Sequence, residues 1–434
     1  VYQQASFPRG ICPSGGGHRR DPPERGHTRA GKGETADICI INTCSVTDAA
    51  DHKDRQMIHR IRRQNPNAIL IVTGCYAQLK PQEISHINGV DYVLGQDQKF
   101  HLTEFIEQLE NHQSTITNHQ SNIYLSPIRE VDDFHHAYSK DDRTRCFLKV
   151  QDGWNYFCSY CTIPLARGKS RNPSIASLVT KAQEAIDGGA KEIILSGVNI
   201  GDFGQTTGES FLDLIKALDE VEGIERYRIS SIEPDLLTDE IIDFVARSKH
   251  FMPHFHIPLQ SGCDEVLKLM RRHYDRDLFA HKIERIKQLM PHCFIGVDVM
   301  VGTRGETDEY FEDSFQFIEG LDVTQLHVFS YSERPGTKAL LIDYVVPPQV
   351  RHERSQRLLE LSDDKTRAFY QQFVGREMPV LLEKSKAGQP MHGFTPNYIR
   401  VEVENRPELD NHIVIVSLGE MNEAADALRG RILS

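Results

Sequence analysis

Nine cysteines are the residues of this 434-residue chain whose type and spacing first suggest chemistry. Cys158 and Cys161 form a Cys-x-x-Cys motif, a spacing that suits zinc, a redox pair or an iron–sulfur cluster. Zinc would need a second ligand pair nearby in the sequence, and a thioredoxin-type pair would open a helix in a different fold. An iron–sulfur cluster is therefore the preferred interpretation. The odd number of cysteines and the absence of a secretory pattern argue against a disulfide framework.

Two more cysteines follow short apolar runs of strand length. The runs are "ADICIINTC", which ends at Cys44, and "AILIVTGC", which ends at Cys75, and an amphipathic helix separates them. This order predicts a strand, helix, strand unit of a small Rossmann-like α/β domain, in which ligands gather beyond the carboxyl ends of the strands. Cys44 and Cys75 are expected at that edge. The remaining cysteines after residue 33 are expected to be packing residues: Cys39, Cys146, Cys263 and Cys293.

A second sequence pattern begins at Arg145, where strand-like runs alternate with helix-like stretches. Six βα units predict a parallel sheet curled into a partial barrel, with its chemistry on the loops after the strands. The last sixty or so residues change to short alternating runs typical of a small β barrel. The predicted strands of the βα repeat end near Gln151, Asn199, Ser231, Gln260, Gly302 and Ser332.

The expected fold class is α/β, with an all-β carboxyl terminus. Residues 1–33 are crowded with Gly, Pro, Arg and His, show no periodicity and are predicted to be an aberrant or disordered segment. The other predicted parts are an N-terminal domain over 34–100, a linker over 101–143, the partial barrel over 144–372 and the β domain over 373–434.

The string "KVQDGWNYFCSYCTIPLARGKSRN" resembles the signature of the radical-SAM methylthiotransferases, whose three cysteines, spaced Cys-x-x-x-Cys-x-x-Cys, hold a four-iron cluster. Here the first of these positions is Trp154, whose indole cannot ligate iron. The family's N-terminal domain holds a second cluster with three cysteines, and Cys44 and Cys75 match two of them. The third falls in the aberrant residues 1–33, where Cys12 is the candidate substitute.

The resemblance covers the chain from about Ala36 to its end. Further strings occur in family order, among them "SGVNIGDFG", "RYRISSIEP", "HIPLQSGCDEVLKLMRRHY" and "VFSYSERPGT". The terminal β segment resembles the RNA-binding TRAM domain. The resemblance implies two 4Fe–4S clusters and S-adenosylmethionine as cofactors, a radical that removes hydrogen from adenine, and a methylated sulfur that replaces it. The residues it places near S-adenosylmethionine are Tyr160, Ser196, Gly197, Asn199, Ser231, Glu233, His256, Gln260 and, in the fifth strand, Asp298.

Family members modify tRNA adenosines that carry an isopentenyl or a threonylcarbamoyl group, or an aspartate of a ribosomal protein. The strings "HVFSYSERPGT" and "VGTRGET" are most similar to the threonylcarbamoyladenosine branch. Arg334 is the candidate partner of the substrate carboxylate, and Arg167 and Arg171 are candidate partners of phosphate or carboxylate groups. The alternatives are the other two substrates, or a non-catalytic RNA-binding relative, which Trp154 and the altered N-terminus favour.

The net charge of −12 argues against a chain coated in nucleic acid, since affinity for a polyanion comes mainly from clustered Lys and Arg. RNA contacts are therefore expected to be local, at Lys53–Arg63, Arg167–Arg171, or Arg271, Arg272 and Arg276. No run approaches the roughly 18 apolar residues of a membrane span. A cytoplasmic enzyme is expected, with tRNA and an electron donor such as flavodoxin or ferredoxin as partners.

Overall fold

The computed structural model describes residues 2–5, 30, 34–45, 47–111, 122–136, 144–386 and 388–433, with only the backbone at 2–5 and 110–111. Cys12 lies outside the described residues. The chain forms two compact units. The first unit comprises residues 1–135, 152–171 and 332–337, and the second unit comprises residues 136–151, 172–331 and 338–434.

The first unit is built on a five-stranded sheet in the order β1-β2-β3-β4-β5, with every neighbouring pair parallel. The apolar runs before Cys44 and Cys75 become adjacent, buried strands, as parallel strands covered on both faces require. The elements of this unit are β1 (Tyr2–Ala5), β2 (Ile38–Thr43), α1 (Asp48–Gln64), β3 (Ile69–Gly74), α2 (Cys75–Leu79), α3 (Pro81–Ser85), β4 (Tyr92–Leu94), α4 (Leu102–Asn111), β5 (Ile123–Tyr124) and α5 (Ile163–Arg167), with 3-10 turns at Gln98–His101 and Ile128–Glu130.

Two short strands of this unit lie in segments for which the sequence predicts no strand. Residues 1–33 were predicted to be disordered, but Tyr2–Ala5 form β1 and pair with β2; apart from Ala30, the rest of that segment lies outside the described residues. The predicted linker 101–143 contributes β5, which pairs with β4 and so extends the N-terminal sheet. Strands of two to four residues are too short to show a period, which is why the sequence did not reveal them.

The second unit contains six parallel strands in two hydrogen-bonded groups, β6-β7-β8 and β9-β10-β11, and a bridge between Ser231 and His256 joins the groups. These strands form the predicted partial barrel. Its elements are β6 (Arg145–Lys149), α6 (Ile175–Asp187), β7 (Glu192–Ser196), α7 (Phe211–Asp219), β8 (Arg226–Ile229), α8 (Asp239–Arg247), β9 (His254–Gln260), α9 (Asp264–Met270), α10 (Arg276–Leu289), β10 (Phe294–Val301), α11 (Asp308–Gly320), β11 (Gln325–Ser330) and α12 (Pro348–Gln371), with 3-10 turns at Ile200–Asp202 and Lys338–Leu341.

Side-chain caps fix where the helices of the partial barrel begin. Ser174, Ser210, Thr238, Asp275 and Thr307 each accept a hydrogen bond from a backbone N–H in the first turn of the helix that follows. Because each cap sets the start of its helix, the stretch between strand end and cap is left as loop. Those loops carry the polar strings that the sequence places after each strand.

The C-terminal segment closes into a five-stranded barrel in the order β12-β13-β14-β16-β15, which confirms the predicted small β domain. Arg226 and Arg228 on β8 fasten it to the partial barrel by donating to four of its backbone carbonyls. Arg228 also forms a two-pronged ion pair with buried Glu192 at 3.0 Å. The strands are β12 (Glu377–Glu383), β13 (Met391–Phe394), β14 (Arg400–Val403), β15 (Ile413–Met421) and β16 (Leu428–Ile432), with a 3-10 turn at Pro407–Leu409.

Candidate functional site

Cys44 and Cys75 lie at the carboxyl ends of two paired strands in the first unit. The parallel register ends with Thr43 opposite Gly74, and each cysteine is the next residue. Gly74 has a φ of +103°, and a Cβ there would lie 2.3 Å from the Thr43 carbonyl oxygen, so only glycine fits this approach. Both thiols are half-buried. The strands therefore bring the two predicted ligands to one edge of the sheet.

A buried charge network surrounds the backbone next to Cys44. Arg334 donates to Asp48 Oδ1, to both carboxylate oxygens of Asp51, and to the carbonyl and hydroxyl oxygens of Ser45. The Cys44 N–H donates to Asp54 at 3.0 Å. Arg334 is only 3 % exposed and its donors are committed to these partners. The predicted role of Arg334 as partner of the substrate carboxylate stays a prediction, and its contacts here hold the loop after β2.

Residues 152–171, here called the thiol loop, carry Cys158 and Cys161. Asp152 and Arg171 pair through their backbones at its two ends, with N–H to oxygen distances of 3.0 and 2.8 Å. The Asp152 carboxylate, 1 % exposed, also pairs with the guanidinium groups of Arg167 at 3.2 Å and Arg171 at 3.5 Å. Both arginines are buried and connect the two ends of the loop, and their predicted phosphate or carboxylate role stays a prediction.

The two pairs of thiols lie on elements of the first unit that pack together. Helix α2, which begins at Cys75, packs against α5, which begins two residues after Cys161. Cys158 and Cys161 form a turn in which the Cys161 N–H donates to the Cys158 carbonyl at 3.2 Å. Among the described residues, no three of these sulfur atoms come within 4.8 Å of one another. The fold therefore places the Cys44–Cys75 pair near the Cys158–Cys161 pair, but the two pairs do not form one site.

Trp154 occupies the first ligand position of the radical-SAM motif. Its indole is 7 % exposed, lies edge-on to the Tyr156 ring, and leaves Nε1 without a hydrogen-bond partner among the described residues. Nothing about this side chain resembles a thiolate, so the residues present do not fit a cluster that needs three. Cys146 does not replace it, because it is buried in the apolar core of the second unit. Tyr160 is half-buried in the same loop, and its cofactor role stays a prediction.

The remaining cysteines of the described residues are buried, and Cys39, Cys146 and Cys293 lie in apolar cores. Cys39 is 1 % exposed in the first unit's core, and burial raises the pKa of its thiol. Burial also raises the pKa of Cys263 to about 11 and that of Cys293 to about 12. Thiols with such pKa values stay protonated near neutral pH and are poor metal ligands.

The turn after β7 in the second unit is shaped by a residue that sequence reasoning missed. The Gln151 side-chain oxygen accepts from the N–H groups of Val198 at 2.9 Å and Asn199 at 3.0 Å. A Cβ on Gly197 would lie 2.9 Å from that same oxygen. Ser196 donates to the Leu148 carbonyl at 3.3 Å. The only signal in the sequence was the position of Gln151 at a strand end.

Asn199 and Gln260 are buried polar residues whose side chains lack partners within the described parts of the chain. Asn199 is 1 % exposed, and neither its side-chain oxygen nor its nitrogen is hydrogen-bonded. The Gln260 side-chain oxygen is likewise unpartnered, and its backbone adopts a left-handed φ of +67° at the end of β9. Buried unsatisfied groups and strained non-glycine residues concentrate where a ligand completes the structure. Both residues therefore fit a cofactor-binding role.

Glu233, which follows β8, is buried and forms an ion pair with Arg272. Burial raises the pKa of this carboxyl to about 7, in spite of the opposing charge of Arg272. Arg272 was one of the residues expected to meet RNA, and Arg276 of the same group pairs with Asp313 at 2.9 Å. These partners leave less positive charge for RNA than the sequence indicates.

Ser231, His256 and Asp298 lie together on neighbouring strands. Ser231 bridges to His256 through the backbone, and the His256 ring Nε2 lies 2.7 Å from Asp298 Oδ1. The His327 ring is 4.9 Å from that of His256. Burial, and then the neighbouring His256, lowers the pKa of His327. The group is half-buried and polar, as a site that meets a ligand requires.

Two family models match the chain. The Radical SAM superfamily model matches residues 148–318, and the model described as Uncharacterized protein family UPF0004 matches residues 23–95. The first covers β6 to α11 together with the thiol loop, and the second includes Cys44 and Cys75. These matches define a radical-SAM protein with an additional N-terminal domain.

Several relatives match over most of their length. The chain is 39 % identical over 401 residues to the threonylcarbamoyladenosine tRNA methylthiotransferase MtaB of Bacillus subtilis, covering 91 % of this chain and 88 % of the relative. It is 34 % identical to the Aquifex aeolicus protein of that name, with 87 % and 90 % covered. A tRNA-2-methylthio-N(6)-dimethylallyladenosine synthase of Syntrophotalea carbinolica is 32 % identical, with 91 % of each covered. The chain belongs to the radical-SAM methylthiotransferases.

The fold also resembles a solved structure, a radical S-adenosylmethionine methyltransferase, TsrM, from Kitasatospora setae with cobalamin and a 4Fe–4S cluster bound. The TM-score is 0.54 at 14 % identity, with 70 % of this chain and 66 % of that chain covered. At this identity the likeness concerns the fold alone. Within the described residues, no helix is long and apolar enough to span a membrane.

Proposed function

We propose that this methylthiotransferase acts on N6-threonylcarbamoyladenosine beside the anticodon of tRNA and adds the methylthio group to carbon two of the base. The observation that carries the proposal is the identity of 39 % with the Bacillus subtilis threonylcarbamoyladenosine enzyme, against 32 % with the dimethylallyladenosine enzyme of Syntrophotalea carbinolica. The substrate assignment does not rest on Arg334, which is buried against Asp51.

The cofactor set we propose is S-adenosylmethionine with 4Fe–4S clusters. In the second unit, Asn199 and Gln260 offer buried hydrogen-bonding atoms that a bound S-adenosylmethionine would satisfy, and Glu233, paired with Arg272, is a further candidate after β8. When bound, this cofactor supplies the methyl group of the methylthio unit. In the first unit, Cys44 and Cys75 would hold two irons of a cluster, and a third thiol would have to come from elsewhere, with Cys12 as the candidate.

We propose that Trp154 leaves the thiol loop one ligand short, so that the chain as written has little turnover. Support comes from the buried indole at the ligand position and from the core burial of Cys146. Trp154→Cys should restore turnover when it is combined with a repaired amino terminus, in which residues 1–33 are replaced by a segment that carries the family's third cysteine. A non-catalytic tRNA-binding relative is the second candidate function, and the same tryptophan favours it.

The test is complementation in a bacterial strain that lacks its threonylcarbamoyladenosine methylthiotransferase. The chain, the repaired Trp154→Cys variant and a repaired Trp154→Phe control are expressed, and the nucleosides of digested tRNA are measured by mass spectrometry. We expect 2-methylthio-threonylcarbamoyladenosine only with Trp154→Cys, because phenylalanine keeps an aromatic ring but adds no thiolate. Iron analysis of anaerobically reconstituted protein should approach about eight irons per chain for two four-iron clusters.

Each other outcome contradicts a stated part of the proposal. Equal modification by the original chain and by Trp154→Cys would refute the impairment. Methylthiolation of isopentenyladenosine alone, or of a ribosomal protein, would refute the substrate. Absence of iron–sulfur absorbance in the repaired variant, with zinc bound instead, would support the non-catalytic relative.

Three further parts of the proposal concern the setting of the reaction. The closed C-terminal barrel is proposed to be a TRAM-like domain that binds tRNA, on the strength of its position at the end of the chain and its five strands. A flavodoxin or ferredoxin is the proposed electron donor, and the cytoplasm, where tRNA is modified, is the proposed location.

A further inference from the structure

A group of metal-ligating side chains lies in the first unit, outside the cysteine motifs. Asp97, His101 and His135 each present one ligand atom, and these atoms all lie within 4.8 Å of one another. Asp97 Oδ1 and His135 Nε2 are 3.8 Å apart. Ligands around a tetrahedral ion with bonds of about 2.0–2.2 Å are separated by roughly 3.3 Å. Small side-chain rotations would therefore suffice to close the three atoms around an ion.

Asp97 and His101 are brought together by one turn of helix. Asp97 has helical backbone angles, φ −76° and ψ −46°, and the 3-10 turn Gln98–His101 follows it and leads into α4. The Phe100 N–H donates to the Asp97 carbonyl at 3.0 Å, which closes this turn. In a 3-10 turn the residues three apart share a face, and His101, one residue further along, presents its ligand atom within 4.8 Å of that of Asp97. Two ligands are thus fixed locally, whatever the rest of the unit does.

Neighbouring groups orient the ligand atoms of Asp97 and His135. Ser126 donates to Asp97 Oδ2 at 3.1 Å, and Gln98 donates to Ser126 at 2.7 Å, so the second carboxylate oxygen, Oδ1, faces His135. The His135 ring stacks on Phe100 with centroids 3.8 Å apart and planes 16° from parallel. Outer partners of this kind, which hold a ligand in its binding orientation, are characteristic of metal sites.

We propose that Asp97, His101 and His135 bind one divalent first-row transition metal ion, with water in the remaining positions. Two imidazole nitrogens and one carboxylate oxygen suit Zn²⁺, Fe²⁺, Co²⁺ or Ni²⁺ better than Ca²⁺ or Mg²⁺, which prefer oxygen ligands alone. Exposure of His101 leaves room for water to reach the ion. This site is separate from the clusters of the proposed function and does not depend on it.

The ion would join the segment 122–136 to the turn after β4. That segment also supports the thiol loop: the Asp133 carbonyl accepts from Arg171 Nε at 2.9 Å, and a Cβ on Gly168 would lie 2.5 Å from the Ile128 carbonyl oxygen. A metal ion that fixes His135 therefore fixes residues in contact with the loop that carries Cys158 and Cys161. The role we assign to the ion is structural support of that loop.

The experiment uses the full chain, stripped of metal and titrated anaerobically with Co²⁺ as the probe. Sulfur-to-cobalt charge-transfer absorption measures the ions that thiolates bind. The number of ions bound only by nitrogen and oxygen is the total bound cobalt minus the cobalt that gives this absorption. We expect one such ion in the unchanged chain. His135→Ala, Asp97→Asn and His101→Gln should each weaken its binding by at least about 100-fold, since even outer partners of metal ligands are worth 10–100-fold.

His136→Ala is the matched control, because it removes the adjacent histidine, whose Nε2 lies 3.0 Å from the Ser177 hydroxyl. It should bind the ion as the unchanged chain does. His101 is exposed, so His101→Gln keeps the test valid if a more buried variant fails to fold. Zn²⁺ should also raise the melting temperature of the His136→Ala chain by more than that of His101→Gln, since both variants keep the thiols. Equal Co²⁺ binding by His101→Gln and the unchanged chain, or no thiolate-free ion in the unchanged chain, would overturn the proposal.

Discussion

Two sets of buried polar groups, one set in each unit, differ in whether their side chains are paired. In the first unit, the charges around the thiols are paired: Arg334 with Asp51, and both Arg167 and Arg171 with Asp152. In the second unit, Asn199 and Gln260 have buried side-chain atoms without partners in the described chain. A fully paired buried network stabilises the protein as it stands, whereas unpaired buried groups cost free energy that a ligand can recover. The difference supports the proposal that the first unit's network holds its loops in place and that S-adenosylmethionine binds at the strand ends of the second unit.

The largest expected effect comes from breaking the network at Asp152. Asp152→Asn removes the buried carboxylate that pairs with both Arg167 and Arg171, so the two buried guanidinium groups lose the negative charge between them. We expect a loss of about 3–5 kcal/mol in the free energy of unfolding, measured by urea denaturation. Asp132→Asn, at an exposed position of the same unit, is the control and should change it by less than about 0.5 kcal/mol. Similar values for both variants would mean that the thiol loop is not held by this charge pairing.

A smaller effect is expected at the other end of the network, where two cations share Asp51. Arg334 is 3 % exposed and Lys80 is 27 % exposed, and both lie 3.1 Å from the Asp51 carboxylate. Arg334→Gln should cost about 3 kcal/mol because it leaves a buried carboxylate short of a partner, and Lys80→Gln less than about 1 kcal/mol. Cys44 should also react faster with iodoacetamide in Arg334→Gln. An unchanged alkylation rate would show that Arg334 does not position the loop after β2.

In the second unit, the prediction concerns how the free energy of unfolding depends on pH through Glu233. Its folded pKa of about 7 lies above the ordinary value of 4.5, so its contribution to stability is fully present below pH 4.5 and is lost as pH rises toward 7. The change over this window should be about 2–3 kcal/mol, since one pKa unit corresponds to about 1.4 kcal/mol. Glu233→Gln should remove that dependence. If unfolding free energies of the two proteins run parallel from pH 4.5 to 7, burial does not raise the pKa of Glu233.

The smallest effect on stability, and the sharpest contrast with Asp152, is expected at Asn199. Asn199→Ala removes two unpaired buried atoms, so the free energy of unfolding without ligand should change by less than about 1 kcal/mol. Affinity for S-adenosylmethionine, measured by equilibrium dialysis, should fall by about 10-fold, the value of one hydrogen bond to a charged group. Ser174→Ala, at a helix cap outside the strand ends, is the control for affinity. Unchanged affinity in Asn199→Ala would remove this residue from the proposed cofactor site.

Much of this architecture follows from sequence periodicity. The six predicted strand ends lie within three residues of the observed ones, because buried parallel strands are apolar runs and polar residues begin where they stop. For the same reason, Cys44 and Cys75 were expected at one sheet edge, and they end adjacent strands. Short strands without a period, β1 and β5, were not foreseen.

The roles of the arginines could not be predicted, because a sequence shows a charge but not its partner. Arg334 pairs with Asp51, which lies 283 residues away and reads in the sequence only as an acidic residue in the first turn of a helix. Asp152 was overlooked beside the more conspicuous cysteines. The Asp97 and His101 spacing was visible, but His135 comes from a segment whose pattern indicated only a linker. Such contacts depend on tertiary structure that local patterns do not encode.

The arginines of β8 have a consequence for anyone who exchanges parts between these enzymes. Because Arg226 and Arg228 donate to carbonyls of Pro379, Phe394, Thr395 and Pro396, the last sixty residues are not a detachable module. Removing them would expose the Arg228 guanidinium and the Glu192 carboxylate and would leave Arg226 and Arg228 without these carbonyl acceptors. A chimaera that takes its carboxyl terminus from a relative should therefore take β8 from the same parent.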